Sequence, residues 1–214
     1  MGISQMFMKL AEGMATSCWI FGITLLFSLP LGMVIAFGRM SKKRIVQGIT
    51  KISIMRGTPL MLQLMVVYFG PYYLFGIKIS PFYRNIAVVI GFVLNYAAYF
   101  AEIYRSGIES MPVGQYEAAE ILGYSKSQTF LHIILPQVIK RILPSVTNEV
   151  ITLVKDTSLA FVIAVSEMFT IAKALASSQT SMVPYVAAGI FYYVFNFLVA
   201  WIMEKIEKHL SYYR

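Results

Sequence analysis

One cysteine and two histidines are all that this 214-residue chain contains of either residue. A lone Cys18 excludes an intrachain disulfide framework and reads as a small apolar filler within a hydrophobic run. His132 and His209 stand 77 positions apart with no ligand-type spacing around them, which argues against a metal site. Charge is scarce too: 13% of residues, against about 25% in an average soluble domain. The sequence has no G-x-x-x-x-G-K-[ST] phosphate loop and no hydrophilic stretch long enough for a nucleotide-binding domain.

Apolar residues fill the space that charge leaves, at 58% of the chain. Ala15 to Phe37 gives 23 residues without a charge, and Gly57 to Ile77 and Val183 to Met203 give 21 each. As helices, each is long enough for a hydrocarbon core of roughly 30 Å. Ile86 to Tyr104 makes a fourth candidate, and Ile142 to about Phe169 a fifth, interrupted by Glu149, Lys155 and Asp156. The expected fold is all-α, a polytopic membrane protein of about five spans, forming one transmembrane domain over residues 1–214.

The first run is too long, and its leader too weakly positive, for a cleavable signal peptide. Arg39, Lys42, Lys43 and Arg44 follow it and set the orientation. With that cluster in the cytoplasm, the N-terminus lies outside and five spans bring the C-terminus inside. Thirteen Lys and Arg then fall on inner segments and five on outer ones, a strong positive-inside bias. The net charge of +8 is thereby accounted for by topology and anionic headgroups, without nucleic acid. Tyr72, Tyr73, Tyr83, Trp201, Tyr212 and Tyr213 cluster at span ends, as an aromatic belt does. The Met-rich start (Met1, Met6, Met8, Met14) suits an interfacial helix on the outer surface, and Gly70-Pro71 and Ser80-Pro81 mark turns around an outer loop.

This topology puts a polar segment, about 105–141, in the cytoplasm. Pro112 suits the opening of a short helix reaching Leu122, and Gly123 suits the left-handed position that ends it. Ser125-x-x-Gln128 has the form of a capping box for a second helix running through Phe130, Ile133 and Ile134 toward Pro136. Ala118 and Ala119 give the first helix a thin face, with Glu117 and Glu120 beside it. On these residues alone, an amphipathic hairpin resting on the membrane and a docking element fit equally.

The spacing Glu117-Ala118-Ala119, three residues, Gly123, nine residues, Ile133-x-Leu135-Pro136 resembles the cytoplasmic coupling loop of ABC importer permeases. Arg56-Gly57-Thr58-Pro59-Leu60, Pro112-x-Gly114-Gln115, Leu135-Pro136-Gln137 and Lys155-Asp156-Thr157-Ser158-Leu159 resemble the polar amino-acid branch of that family, whose members include histidine, arginine, lysine and glutamine permeases. The resemblance covers about Thr16 to the C-terminus. It implies a type I ABC importer permease fold in a bacterial cytoplasmic membrane, and a membrane subunit that is not itself an enzyme. It further implies a second permease subunit (a copy or a close homologue), two ATP-binding cassette subunits that carry ATP and Mg, and an extracytoplasmic amino-acid-binding protein. This chain would bring no cofactor of its own. Glu117, Ala118, Ala119 and Gly123 match the part that docks on the ATPase. ATP-driven closure would pull two such loops together and rock the spans between inward-facing and outward-facing states.

Polar groups inside a membrane are expensive and face a cavity or a partner. Gln63, Asn95, Asp156 and Glu167 are the candidate substrate-binding residues, with Glu149 nearby. On a continuous helix, steps of seven and eleven residues put Glu149, Asp156 and Glu167 within about 20° of one face. Asp156-Thr157-Ser158 is, however, good chemistry for a break and restart, which leaves Asp156 either a ligand, a partner of Lys155 or a cap. Gln63 and Asn95 also suit an interhelical hydrogen bond, and Glu102 a salt bridge to Arg105. Acidic groups in the passage suit arginine, lysine or histidine; glutamine or glutamate is the alternative cargo. An ion-coupled secondary transporter is disfavoured by the lack of internal repeats, a channel by the lack of a glycine-rich filter or arginine ladder, and a membrane enzyme by the lack of a His- or Cys-centred constellation.

Overall fold

The structure is a computed structural model that describes residues 2–41, 43, 47, 48 and 56–210. Met1, Lys42, Arg44, Lys51, Tyr212, Tyr213 and Arg214, which enter the charge and aromatic arguments, lie outside the described residues. In chain order the elements are α1 (Ile3–Arg39), α2 (Leu60–Phe75), α3 (Pro81–Glu109), α4 (Val113–Ile121) and a short α5 (Lys126–Gln128). A π-helical turn (Thr129–Ile134) leads into α6 (Leu135–Asp156), a 3₁₀ stretch (Thr157–Ile163), α7 (Met168–Gln179) and α8 (Val183–Leu210).

Among the described residues three helices, α1, α3 and α8, are long and apolar enough to cross a membrane. The stretch Lys126–Ile163 and α7, bent by 59° from one another, are together long and apolar enough for a fourth, broken crossing, and α2 is a shorter apolar helix of 16 residues. The five expected runs are therefore three unbroken spans, one broken span and one short helix. At 1.5 Å per residue α2 reaches only about 24 Å.

Near the N-terminus the chain departs from expectation. No separate interfacial helix forms; α1 runs unbroken from Ile3 for 37 residues, about 56 Å. Met6 and Leu10 are buried with Met168, Ala172, Leu175, Ala187 and Ala188 in a second core cluster, so α7 and α8 hold the helix start. The opposite side of the same turns, Ile3, Phe7 and Met8, stays exposed.

Helix α3 is the central element, buried along Ala87, Val88, Phe92, Tyr96, Phe100, Ala101 and Tyr104. The Ser80 hydroxyl accepts the Tyr83 N–H at its start, and Pro81 fills the first turn, where a missing N–H costs nothing. Helix α1 buries Ser17, Thr24, Ser28, Gly32 and Ala36, small residues at helical spacing that let neighbouring backbones approach. Ser17 accepts the Met168 N–H of α7 at 3.4 Å, and Gly32 meets α3. A Cβ on Gly32 would stand 2.9 Å from the Phe100 Cβ and 3.1 Å from the Ala97 carbonyl oxygen, so no larger residue fits without parting α1 from α3.

Glu102 ties this bundle at its arginine-rich end. The expected ion pair with Arg105 forms, and Arg39 at the end of α1 joins it. Arg56 stands 3.8 Å away while its guanidinium lies 5.5 Å from the centre of the Tyr99 ring. Arg105 also pairs with Glu109. The Glu102 side chain is 21% exposed, so its loss leaves three cations crowded at an apolar boundary. Glu102→Ala is expected to lower stability by about 2 kcal/mol. A thermal midpoint in detergent unchanged from that of the unsubstituted protein would show the cluster to be ornamental.

Candidate functional site

The polar segment folds as a capped hairpin whose inner arm continues into the bundle. Helix α4 opens after Pro112 and closes at Gly123, whose φ of +78° is the left-handed conformation expected of it. There the Gly123 N–H bonds the Glu120 carbonyl at 3.0 Å and the Tyr124 N–H bonds that of Ala119 at 3.0 Å. Ser125 and Gln128 form the capping box: the Gln128 N–H reaches the Ser125 hydroxyl at 3.3 Å, and the Ser125 N–H reaches the Gln128 side-chain oxygen at 2.9 Å.

The second arm does not stop at Pro136. Proline lacks an N–H and its ring crowds the carbonyl four residues back, so the ladder widens into the π turn and then resumes as α6. The hairpin's second arm and α6 are thus one continuous rod. On α4, Ala119 is buried and Gln115 and Tyr116 are half-buried, while Glu117, Ala118 and Glu120 are exposed. Val113, Ile121 and Leu122 are 70%, 86% and 73% exposed, an apolar ridge beside the two carboxylates. Such a ridge on a polar hairpin has the character of a contact surface.

Inside the bundle the polar residues sort into three groups. Gln63 and Asn95 meet: the Asn95 amide donates to the Gln63 side-chain oxygen at 3.1 Å, and the Gln63 amide donates to the Thr58 carbonyl at 3.0 Å and hydroxyl at 2.9 Å. Asp156 is half-buried and accepts from the Tyr96 hydroxyl at 2.7 Å. It neither caps a helix nor engages Lys155 in an ion pair, and Lys155 is exposed. Glu149 is half-buried two helical turns away on the same side of α6.

Glu167 is 0% exposed and closes a different structure. The break expected at Asp156-Thr157-Ser158 comes later, at Ala164, where φ is +56°. Thr157 turns its hydroxyl back to the Val154 carbonyl at 2.8 Å instead of capping forward, so the helix merely tightens there. Glu167 restarts it, accepting the N–H groups of Phe169 at 2.6 Å and Thr170 at 2.7 Å. It also accepts the Thr170 hydroxyl at 2.7 Å and the Tyr192 hydroxyl at 3.2 Å. One-face alignment of Glu149, Asp156 and Glu167 is therefore lost at the bend.

Comparison with known proteins places this arrangement. The family described as "Binding-protein-dependent transport system inner membrane component" matches residues 28–212. The chain belongs to that family. The permease is 36% identical to the arginine transport system permease protein ArtQ of Bacillus subtilis, over 94% of this chain and 91% of the relative. It is 39% identical to the L-cystine permease TcyL of the same organism (90% and 83% covered). The putative glutamine permease GlnP of Rickettsia bellii is 37% identical (88% and 86% covered). Among solved structures, an amino acid ABC transporter with histidines superposes with a TM-score of 0.87 at 28% identity, covering 97% of this chain and 96% of that one. The permease thus has the type I importer fold and is a membrane subunit of an amino-acid ABC importer; hydrolysis of ATP belongs to a separate subunit.

Several polar partners in the permease escape a reading of sequence: Arg39 and Arg56 on Glu102, Tyr96 on Asp156, Tyr192 on Glu167 and Gln137 on Gln115. The Pro112-x-Gly114-Gln115 and Leu135-Pro136-Gln137 motifs marked the last pair without joining it.

Proposed function

We propose that this permease imports a cationic L-amino acid (arginine, lysine or histidine), working as a pair of permease subunits with two ATP-binding cassette subunits. An extracytoplasmic binding protein delivers the substrate, and ATP with Mg resides on the cassette subunits. The N-terminus lies outside and the C-terminus in the cytoplasm, which puts the 105–141 loop on the ATPase side. Glu117, Ala118, Ala119 and Gly123 form the docking element, supported by the exposed acidic and apolar face of α4.

The observation carrying the choice of cargo is the half-buried Asp156 carboxylate, held by Tyr96 with Glu149 two turns away. A pair of subunits would double that negative charge in the passage. Gln63 and Asn95 add neutral polar lining, while the four bonds accepted by Glu167 favour a role in positioning the bend over contact with substrate. A relative named for arginine and a structure named for histidines agree with a cationic cargo. Relatives named for glutamine support the second reading, a neutral polar amino acid recognised through the Gln63–Asn95 amides.

Uptake of labelled amino acids into proteoliposomes holding the whole complex decides between them. Arginine, lysine or histidine should be taken up and glutamine left outside. Asp156→Asn should lower that uptake about tenfold, the worth of a charged hydrogen bond. Transport of glutamine with arginine ignored would establish the second reading. Uptake on an ion gradient without the ATPase would defeat both.

A further inference from the structure

Helix α4 is nine residues long and fully buries only Ala119, with Tyr116 partly buried against the core, so apolar packing fixes it at few points. Its firmest polar attachment is a reciprocal amide pair. Gln115 Nε2 donates to Gln137 Oε1 at 2.9 Å, and Gln137 Nε2 donates to Gln115 Oε1 at 2.6 Å. The Gln137 amide also donates to the Ile133 carbonyl at 2.7 Å, inside the π turn. Gln115 and Ala119 lie within about 40° on the inner face of α4, whereas Val113, Glu117, Glu120 and Ile121 lie on the opposite face. One side of α4 is therefore offered outward while the other is clamped to the first turn of α6. A second tie, from Arg141 Nη1 to the Ser110 carbonyl at 3.1 Å, holds the chain just before α4.

We infer that the Gln115–Gln137 pair is the joint through which displacement of α4 reaches α6 and the broken span. Both glutamines are positioning residues: neither lies on the exposed face of α4, and neither lines the polar groups inside the bundle. The inference rests on the importer reading. A helix pushed from its outer face transmits motion only as far as its inner face is fixed. With the amides joined, α4 and α6 move as one body; with them parted, α4 pivots on Ala119 and the stroke is spent in the loop. Joints of paired hydrogen bonds keep orientation as well as distance, which a single apolar contact cannot do.

The test uses the complete complex in proteoliposomes, with uptake and ATP hydrolysis measured on the same preparation. Gln115→Leu should assemble with the ATPase as the unsubstituted chain does, yet transport about fivefold less substrate per ATP hydrolysed, the lower range for two lost hydrogen bonds. Gln137→Leu should behave alike, and the double substitution should be no worse than either single one. Gln115→Glu with Gln137→Arg restores a two-bond fork and should recover most of the ratio. An unchanged ratio in both single variants overturns the inference. So does loss of ATPase association, which would make the pair a folding element of the dock. If the unsubstituted complex shows no ATP-driven uptake, the importer reading itself has failed and the inference falls with it.

Discussion

Glu117→Lys is expected to weaken association between this permease and its ATPase subunit by about 30-fold, the worth of a hot-spot side chain at roughly 2 kcal/mol. Glu117 is exposed on the outer face of α4, flanked by exposed Ala118 and by the apolar ridge of Val113 and Ile121. An anchor gathered on one small, rigid face leaves few other contacts to compensate for a reversed charge. Ala118→Trp should act with similar force by a different route, because a thin helix face admits a close backbone and a bulky one does not. The comparison is Glu12→Lys, the same reversal at an exposed site in the first third of α1, which should leave association unaltered. Affinity is read by titrating purified ATPase onto the detergent-solubilised permease. Equal affinities for Glu117→Lys and Glu12→Lys would remove α4 as the docking element.

Glu167→Ala should be the most destabilising single change, at about 3 kcal/mol, or roughly a 10 °C fall in thermal midpoint. The carboxylate is wholly buried and takes two backbone N–H groups at the start of α7. Removing it takes from those two donors the acceptor that restarts the helix and leaves a carboxylate-sized void beneath them. Glu167→Gln should fall between, since its NH₂ presents donors to donors. Among molecules that remain folded, arginine-stimulated ATP hydrolysis should keep its concentration dependence. A Glu167→Ala protein of normal stability that no longer responds to arginine would return this residue to the substrate path.

These two positions show what was legible in the sequence. Gly123 and the Ser125–Gln128 box close within a few residues, so their geometry follows from local chemistry and the hairpin could be drawn in advance. The family motifs did the same for the importer fold. Glu167 was visible as a costly buried charge, but its cap role depends on Ala164 turning left-handed, which alanine does not announce. Asp156 looked like the better cap, and the tertiary contact with Tyr96, 60 residues away, claimed it instead. Arg39 reaches Glu102 across 63 residues, a separation at which spacing carries no information. The N-terminal methionines failed for a related reason: their partners Met168 and Ala187 become neighbours only once the chain has folded.

The π turn at Thr129–Ile134 sets the phase of everything beyond it. Each such turn holds one residue more than an α turn, which is about 100° of rotation. Relative to α6, the hairpin is therefore clocked by a single extra residue. A chain one residue shorter in this stretch would relax toward a regular helix and swing Glu117 more than a quarter-turn from its present bearing. The number of residues between Thr129 and Ile134 then matters more than the identity of the exposed ones, Leu131 and His132, where substitution should cost little.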